Sequence, residues 1–316
     1  MPEKMKVLIA YDGSSCADAA LDDLRRAGLP HVAEALIIAV ADVFLPPPSD
    51  AERTFPEQVP MAVQSAWTQA THAVEEAHAL AMQARARVQA SFPDWDVSAE
   101  ACADSPAWAV IKKADTWQPD LIVVGSHGRS TVGRLLLGSV SYKVVTEAHS
   151  SVRVGRDDHK AGEVPVRLVV GVDGSADAVA AVHAVAARHW PTGSETRLVA
   201  VLDSRMLTAL APHRPPVAEW VKADVPDEQA WVHQMVEALA EQLRAAGLTV
   251  SSVIQPGDPK AVLLDEAAHW EADCLVVGAR GLSRIEQFLL GSVSTAVAAR
   301  AHCSVEVIRP KRTREA

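Results

Sequence analysis

Residues 121–141 read LIVVGSHGRSTVGRLLLGSVS, and residues 274–294 read CLVVGARGLSRIEQFLLGSVS. Each stretch opens on an aliphatic run that stops at a glycine and continues as G-x2-G-x9-G-S, first with Gly125, Gly128, Gly138 and Ser139, then with Gly278, Gly281, Gly291 and Ser292. A run such as Leu121-Ile122-Val123-Val124 is too short for a helix, and its lack of alternation is what a strand buried on both faces requires. Glycine fills only 16 of 316 positions, so a second copy at an offset of 278 − 125 = 153 marks a duplicated unit rather than a coincidence.

Asp12-Gly13-Ser14 repeats as Asp173-Gly174-Ser175 at 173 − 12 = 161, so the first copy carries 161 − 153 = 8 extra residues. They fall between the second and third strands, where Leu45-Pro46-Pro47-Pro48 opens a loop that neither helix nor sheet accommodates. Strands are expected at Val7–Tyr11, Ala35–Ala41, Val97–Cys102, Leu121–Val124 and Val152–Val154, and again at Leu168–Val172, Arg197–Leu202, Thr249–Ile254, Leu275–Val277 and Val305–Ile308. Helices fill the gaps: Ser14 and Ser175 are N-caps, Gly28 and Gly247 are stops, Ser105-Pro106 is a start, and Ala66–Gln89 has the periodicity of one long amphipathic helix. Alternating strands and helices specify an α/β fold, here two tandem domains each built on a five-stranded parallel sheet flanked by helices. The boundaries expected are 1–155, a polar linker at 156–165, and 166–316.

Composition narrows the function. The 49% apolar and 22% charged residues are those of a folded soluble protein, without a run long enough to span a bilayer or an N-terminal leader, so a cytoplasmic protein and no membrane partner are expected. A net charge of −10, with no Lys/Arg stripe, argues against nucleic acid. Cys16, Cys102, Cys274 and Cys303 lack metal or disulfide spacing and read as reduced, buried thiols.

In a doubly wound parallel sheet, ligands bind beyond the carboxyl ends of the strands where strand order reverses, between the first and fourth strands. Those strands end here in Asp12 and Gly125, or Asp173 and Gly278. Glycine lets main-chain N–H groups approach an anion, and helices starting near Val140 and Val293 offer positive N-terminal ends to phosphate, with the hydroxyls of Ser139, Ser141, Ser292 and Ser294 beside them. Turn chemistry alone is the competing reading of the glycines and of Asp12 and Asp173. His127 has Arg280 as its counterpart, which excludes an imidazole catalyst common to both halves. Glu75-x-x-His78 has no second copy, and His269-Trp270-Glu271 lacks the Pro-Cys-x-x-Cys of a zinc deaminase, so neither reads as a metal site. Trp117 and Trp270 occupy equivalent places and read as helix-to-sheet packing.

The order Asp-Gly-Ser, aliphatic strand, Gly-Ser-His-Gly, nine residues, Gly-Ser-Val-Ser resembles the universal stress protein family in its tandem form, across nearly the whole chain. The resemblance implies a Rossmann-like, adenine nucleotide alpha hydrolase-like fold and ATP as ligand. By it, Asp12 and Val40, and Asp173 and Val201, lie beside adenosine. Gly125, Gly128, Gly138, Ser139 and Ser141, with Gly278, Gly281, Gly291, Ser292 and Ser294, hold ribose and phosphates. The chain departs from the family in the first half, with Ala103-Asp104-Ser105-Pro106 for Gly-Asp-Pro, and at the fifth strands, with Ser150-Ser151-Val152 and Cys303-Ser304-Val305 for Cys-Pro-Val. No general base or metal cage accompanies the loops, so ATP reads as a regulatory ligand of a stress response, any Mg2+ being held by its phosphates and water. A slow ATPase or nucleotidyl-transfer enzyme, and a stress scaffold or chaperone without nucleotide, are the alternatives. Members of the family pair through their last strands, where Arg153 aligns with Glu306; opposite charges favour an intrachain pseudo-dimer, like charges disfavour pairing of identical halves, and a further homodimer stays open.

Overall fold

The structure, a computed structural model, describes residues 4–43, 61–128, 137–156, 164–202, 228–282 and 290–310. The first half runs β1 (Met5–Ala10), α1 (Ser15–Asp23), β2 (Ala33–Ala41), α2 (Met61–Ser91), β3 (Asp96–Ala103), α3 (Pro106–Trp117), β4 (Leu121–Gly125), α4 (Ser139–Glu147) and β5 (Ser151–Gly155). The second runs β6 (Arg167–Val172), α5 (Ala176–Ala186), β7 (Glu195–Leu202), α6 (Glu228–Ala245), β8 (Thr249–Pro256), α7 (Pro259–His269), β9 (Cys274–Gly278), α8 (Ser292–Arg300) and β10 (Ser304–Ile308). All ten expected strands are present, most of them a residue or two longer, because ladder pairing such as Met5↔Ala33 carries regular geometry past the aliphatic run. The Pro-rich stretch at 45–48 and linker residues 157–163 lie outside the described residues.

Local rules account for the ends of the helices. Ser14 and Ser175 accept the main-chain N–H of Ala17 and Ala178, closing the first turns of α1 and α5. Gly28 and Gly247 hold φ of +61° and +86°, the left-handed region in which a Cβ is costly. Ser105 does not cap α3 with its hydroxyl; the Asp104 carboxylate instead accepts the Ser105 N–H at 2.7 Å.

Strand order is β3-β2-β1-β4-β5-β10-β9-β6-β7-β8, one ten-stranded sheet parallel within each half, with a single antiparallel junction between β5 and β10. Alternation along these two strands sorts the seam into two faces. Val152, Val154, Val305 and Val307 join a core that continues across both halves beneath α3, α4, α7 and α8, whereas the opposite faces of the halves carry separate apolar cores.

Arg153 and Glu306 point to that second face and oppose each other in the register, as the charge complementarity of the two strands leads one to expect. Arg153 donates to Glu306 at 3.0 Å and to both carboxylate oxygens of Asp23 at 2.6 and 3.0 Å, and Arg188 completes the set on Glu306. Arg26 and Asp273 form a second buried ion pair across the seam at 2.9 Å. Two crossed clasps flank this centre. Arg156 donates to the carbonyls of Ala298 and Cys303 at 2.6 and 3.2 Å, and Arg309 to those of Val145 and Ser150 at 2.6 and 3.2 Å, so each arginine closes the C-terminal end of the other half's α8 or α4. The serines standing in the family's proline position serve the same junction: Ser304 accepts the Arg156 N–H and Ser151 the Arg309 N–H, both at 3.0 Å.

Removing Arg153 takes the cation from buried Asp23 and leaves Glu306 with Arg188 alone, so Arg153→Met is expected to lose about 3–5 kcal/mol in urea denaturation. Burial raises the Glu306 pKa, but Arg188 and Arg153 outweigh it and hold the carboxyl below its ordinary value. Its contribution is therefore present at neutral pH and is lost as pH falls through the glutamate range, and Glu306→Gln should show a shallower acid limb than the parent in the same measurement.

Candidate functional site

The switch point of each half lies between β1 and β4, or between β6 and β9, where the central strands pair side by side. Extending the β1–β2 register from Ala10↔Ile38 sets Asp12 beside Val40, and extending β6–β7 from Val172↔Ala200 sets Asp173 beside Val201. Val40 is half-buried and Val201 buried at the carboxyl edge of the sheet.

Both aspartates build turns and also meet the glycine loop. Oδ1 of Asp12 accepts the Ser14 N–H at 3.0 Å, and Oδ1 of Asp173 the Ser175 N–H at 2.9 Å. A Cβ on Gly128 would lie 3.0 Å from Oδ2 of Asp12, and one on Gly281 2.6 Å from Oδ2 of Asp173. Glycine at 128 and 281 is thus what lets the loop cross the end of the first strand. Burial raises the Asp173 pKa, opposed by the N–H groups of Ser175 and Leu282.

The loop returns to the strand end through Gly138 N–H to Ser126 O at 2.8 Å and Gly291 N–H to Ala279 O at 2.7 Å. Helices α4 and α8 begin at Ser139 and Ser292, one residue earlier than expected, with Gly138 and Gly291 as N-caps that carry no capping side chain. Main-chain donors of their first turns therefore have no intrahelical partner. Gly128, Gly281, Ser139 and Ser292 are all exposed, so the first corner of the turn and the helix start open to solvent in both halves.

Three sequence expectations are corrected. A Cβ on Gly125 would strike the main chain of Cys16 and Ala17 at 2.8–2.9 Å, and one on Gly278 that of Asp177 and Ala178 at 2.5–2.7 Å. These two glycines let α1 and α5 pack on the strand ends; they do not clear a path for an anion. Ser141 and Ser294, expected as phosphate donors, are buried and give their protons to the carbonyls of Gly125 and Gly278 at 2.6 and 2.7 Å. Cys16 and Cys102 are half-buried, unlike buried Cys274 and Cys303.

Other readings hold. Glu75 and His78 are both exposed on α2, a solvated face. Trp117 and Trp270 pack against the core shared by the halves, with Lys6 5.4 Å from the Trp117 ring and Arg197 4.4 Å from that of Trp270. Arg129 and Arg284 lie outside the described residues. Sequence reading missed the bonds that tie α1 and α5 to the turn, from Ser14 Oγ to His127 O at 3.4 Å and from Ser175 Oγ to Arg280 O at 3.2 Å. Their only sequence signal is that both serines recur at one offset.

The chain belongs to the universal stress protein family, whose model matches residues 4–156 and again 166–309. A universal stress protein of Mycolicibacterium smegmatis is 27% identical over 309 residues, covering 96% of this chain and 97% of its own. One from Mycobacterium tuberculosis is 27% identical over 318 residues, covering 96% and 94%. Among solved structures, a universal stress protein of Archaeoglobus fulgidus shares the fold with a TM-score of 0.62 at 20% identity, covering 96% of this chain and 98% of that one. Among the described residues, no helix is long and apolar enough to cross a membrane.

The two serines of each Gly-Ser-Val-Ser should separate by role. Ser141→Ala leaves the buried Gly125 carbonyl without its donor and is expected to cost about 1–3 kcal/mol in chemical denaturation. Exposed Ser139→Ala should fall within about 0.5 kcal/mol of the parent.

Proposed function

We propose that this chain is a cytoplasmic stress-response protein that binds ATP at the switch-point crevice, as a regulatory ligand rather than a rapidly consumed substrate. The observation that carries the reading is the first turn of α4, repeated at α8, which starts on an exposed serine with no capping side chain and whose partial positive charge draws phosphate. Ser139 and Ser292 stand at the first helical position with exposed hydroxyls that can add to it. Asp12 and Asp173, beside Val40 and Val201, are suited to ribose hydroxyls, with the valines as an apolar wall for the base. The units carrying the crevices are residues 1–155 and 166–316, joined by 156–165.

A bound Mg2+ would neutralise phosphate charge, held mainly by the nucleotide and water as that hard, reluctantly dehydrating ion usually is. The protein's own part is to orient the triphosphate and to exclude bulk at the turn. Among the described residues no side chain stands out as a base for water attack, and turnover above about one per minute would move the reading toward an ATPase.

Denaturing the purified chain and analysing the supernatant is expected to release adenine nucleotide, or dialysis against labelled ATP to load it. In Ser139→Asp/Ser292→Asp, a carboxylate stands at each helix start, where it suits the helix but repels phosphate. Binding should fall at least about tenfold with stability retained; undiminished binding in a folded double variant would refute the phosphate sites.

A further inference from the structure

Among the positions at which the two crevices differ is a pair that meets across the glycine turn in the second half. Cys16 and His127 in the first half correspond to Asp177 (177 − 161 = 16) and Arg280 (280 − 153 = 127) in the second. Asp177 is only 4% exposed. Its Oδ2 accepts the Arg280 main-chain N–H at 3.0 Å and Nε at 3.1 Å, and its Oδ1 accepts Nη2 at 3.3 Å. Beyond Gly281, Oδ2 of Asp173 accepts the Leu282 N–H at 3.1 Å. The second turn thus already holds a carboxylate on its main chain, and Arg280 is engaged with that carboxylate. Arg309, which also lies near Asp177, points its guanidinium to the carbonyls of Val145 and Ser150.

The first turn is built otherwise. Cys16 puts a thiol where Asp177 puts a carboxylate. The His127 ring meets Ser126 Oγ through Nδ1 at 3.1 Å, while its Nε2 is buried without a hydrogen-bond partner. A buried polar atom left in this state can be satisfied by a water or by a bound ligand. Burial, with the charge of Arg156, lowers the His127 pKa, so the ring is neutral at physiological pH and adds no charge of its own.

We infer that Asp177 acts as an internal anion that closes the second crevice, so that the chain takes one nucleotide, in its first half. This rests on the nucleotide-binding reading above and sharpens it to a single competent site. Phosphate entering the second turn must either displace Asp177 from the Arg280 N–H or lie close to a buried like charge, and either route weakens binding roughly tenfold or more relative to the first half.

The test is the stoichiometry of ATP on the full chain, by isothermal titration with equilibrium dialysis as a check. One nucleotide per chain is expected, lost in Ser139→Asp and kept in Ser292→Asp. Asp177→Cys, which installs the first half's residue, should add a second site, and Asp177→Asn, which keeps the shape without the charge, should add it as well. Two equivalent sites in the parent would overturn the inference while leaving nucleotide binding intact, as would a single site that follows Ser292 instead of Ser139. A second site absent from both folded Asp177 variants would remove Asp177 as its cause. No binding in any form would sink the nucleotide reading, and this inference with it.

Discussion

A guanidinium with 1% of its surface exposed has to be balanced where it sits, and for Arg153 the balance comes from both halves: Asp23 from its own and Glu306 from the other. Each half brings its own pair to the junction, Arg153 with Asp23 and Arg188 with Glu306, and the Arg153–Glu306 bond joins the two across the seam, where losing any one member leaves a buried charge short of a partner. Pairing β5 with a second β5 would set Arg153 against Arg153, and pairing β10 with β10 would set Glu306 against Glu306. Charge thus fixes which strands meet, and the valines on the opposite face supply the apolar burial that holds them together.

From that seam the positions of the two crevices follow. Because β5 and β10 run antiparallel, α4 and α8 lie on one face near the pseudo-twofold axis, each with its C-terminal end closed by an arginine from the other half. A helix held at its C-terminal carbonyls has its N-terminal amides placed at a fixed distance from the strand end, where Gly138 and Gly291 bond back to Ser126 and Ala279. The placing of the helix start in one half therefore depends on contacts made by the other. Burial of the Arg309 guanidinium, which pushes its pKa down to about 10, is the cost of closing that helix end away from water.

Much of this was legible in the chain. Aliphatic runs ending in glycine located the strands, Ser14 and Ser175 announced caps that formed, and the opposite signs of Arg153 and Glu306 foretold their meeting. What stayed hidden was long-range. Asp23 and Arg188 reach the seam from α1 and from just past α5, and nothing local in either sequence marks them as its partners. Arg156 read as the first residue of a polar linker, yet its side chain is held on the other half's helix end. The glycines misled in a different way. A motif reports that Cβ is excluded without reporting by what: at 125 and 278 the excluding atoms are helix main chain, at 128 and 281 a carboxylate.

Duplication sets two constraints on the same motif that need not be satisfied equally. Keeping the sheet continuous demands that both halves retain Gly125 and Gly278, since α1 and α5 press on them, and that Ser141 and Ser294 tie their helices to the strand ends. These residues persist in a half whether or not it holds a ligand, so an intact glycine-serine pattern is not by itself a measure of binding. Residues that do not support packing are where the halves are at liberty to diverge, and Cys16 against Asp177 and His127 against Arg280 diverge at the turn itself. In the second half the divergence produces an ion pair between exposed Arg280 and buried Asp177, whose carboxylate also satisfies a turn amide from within the chain. The stabilising role of the motif survives there, while the feature that would attract an external anion is spent internally.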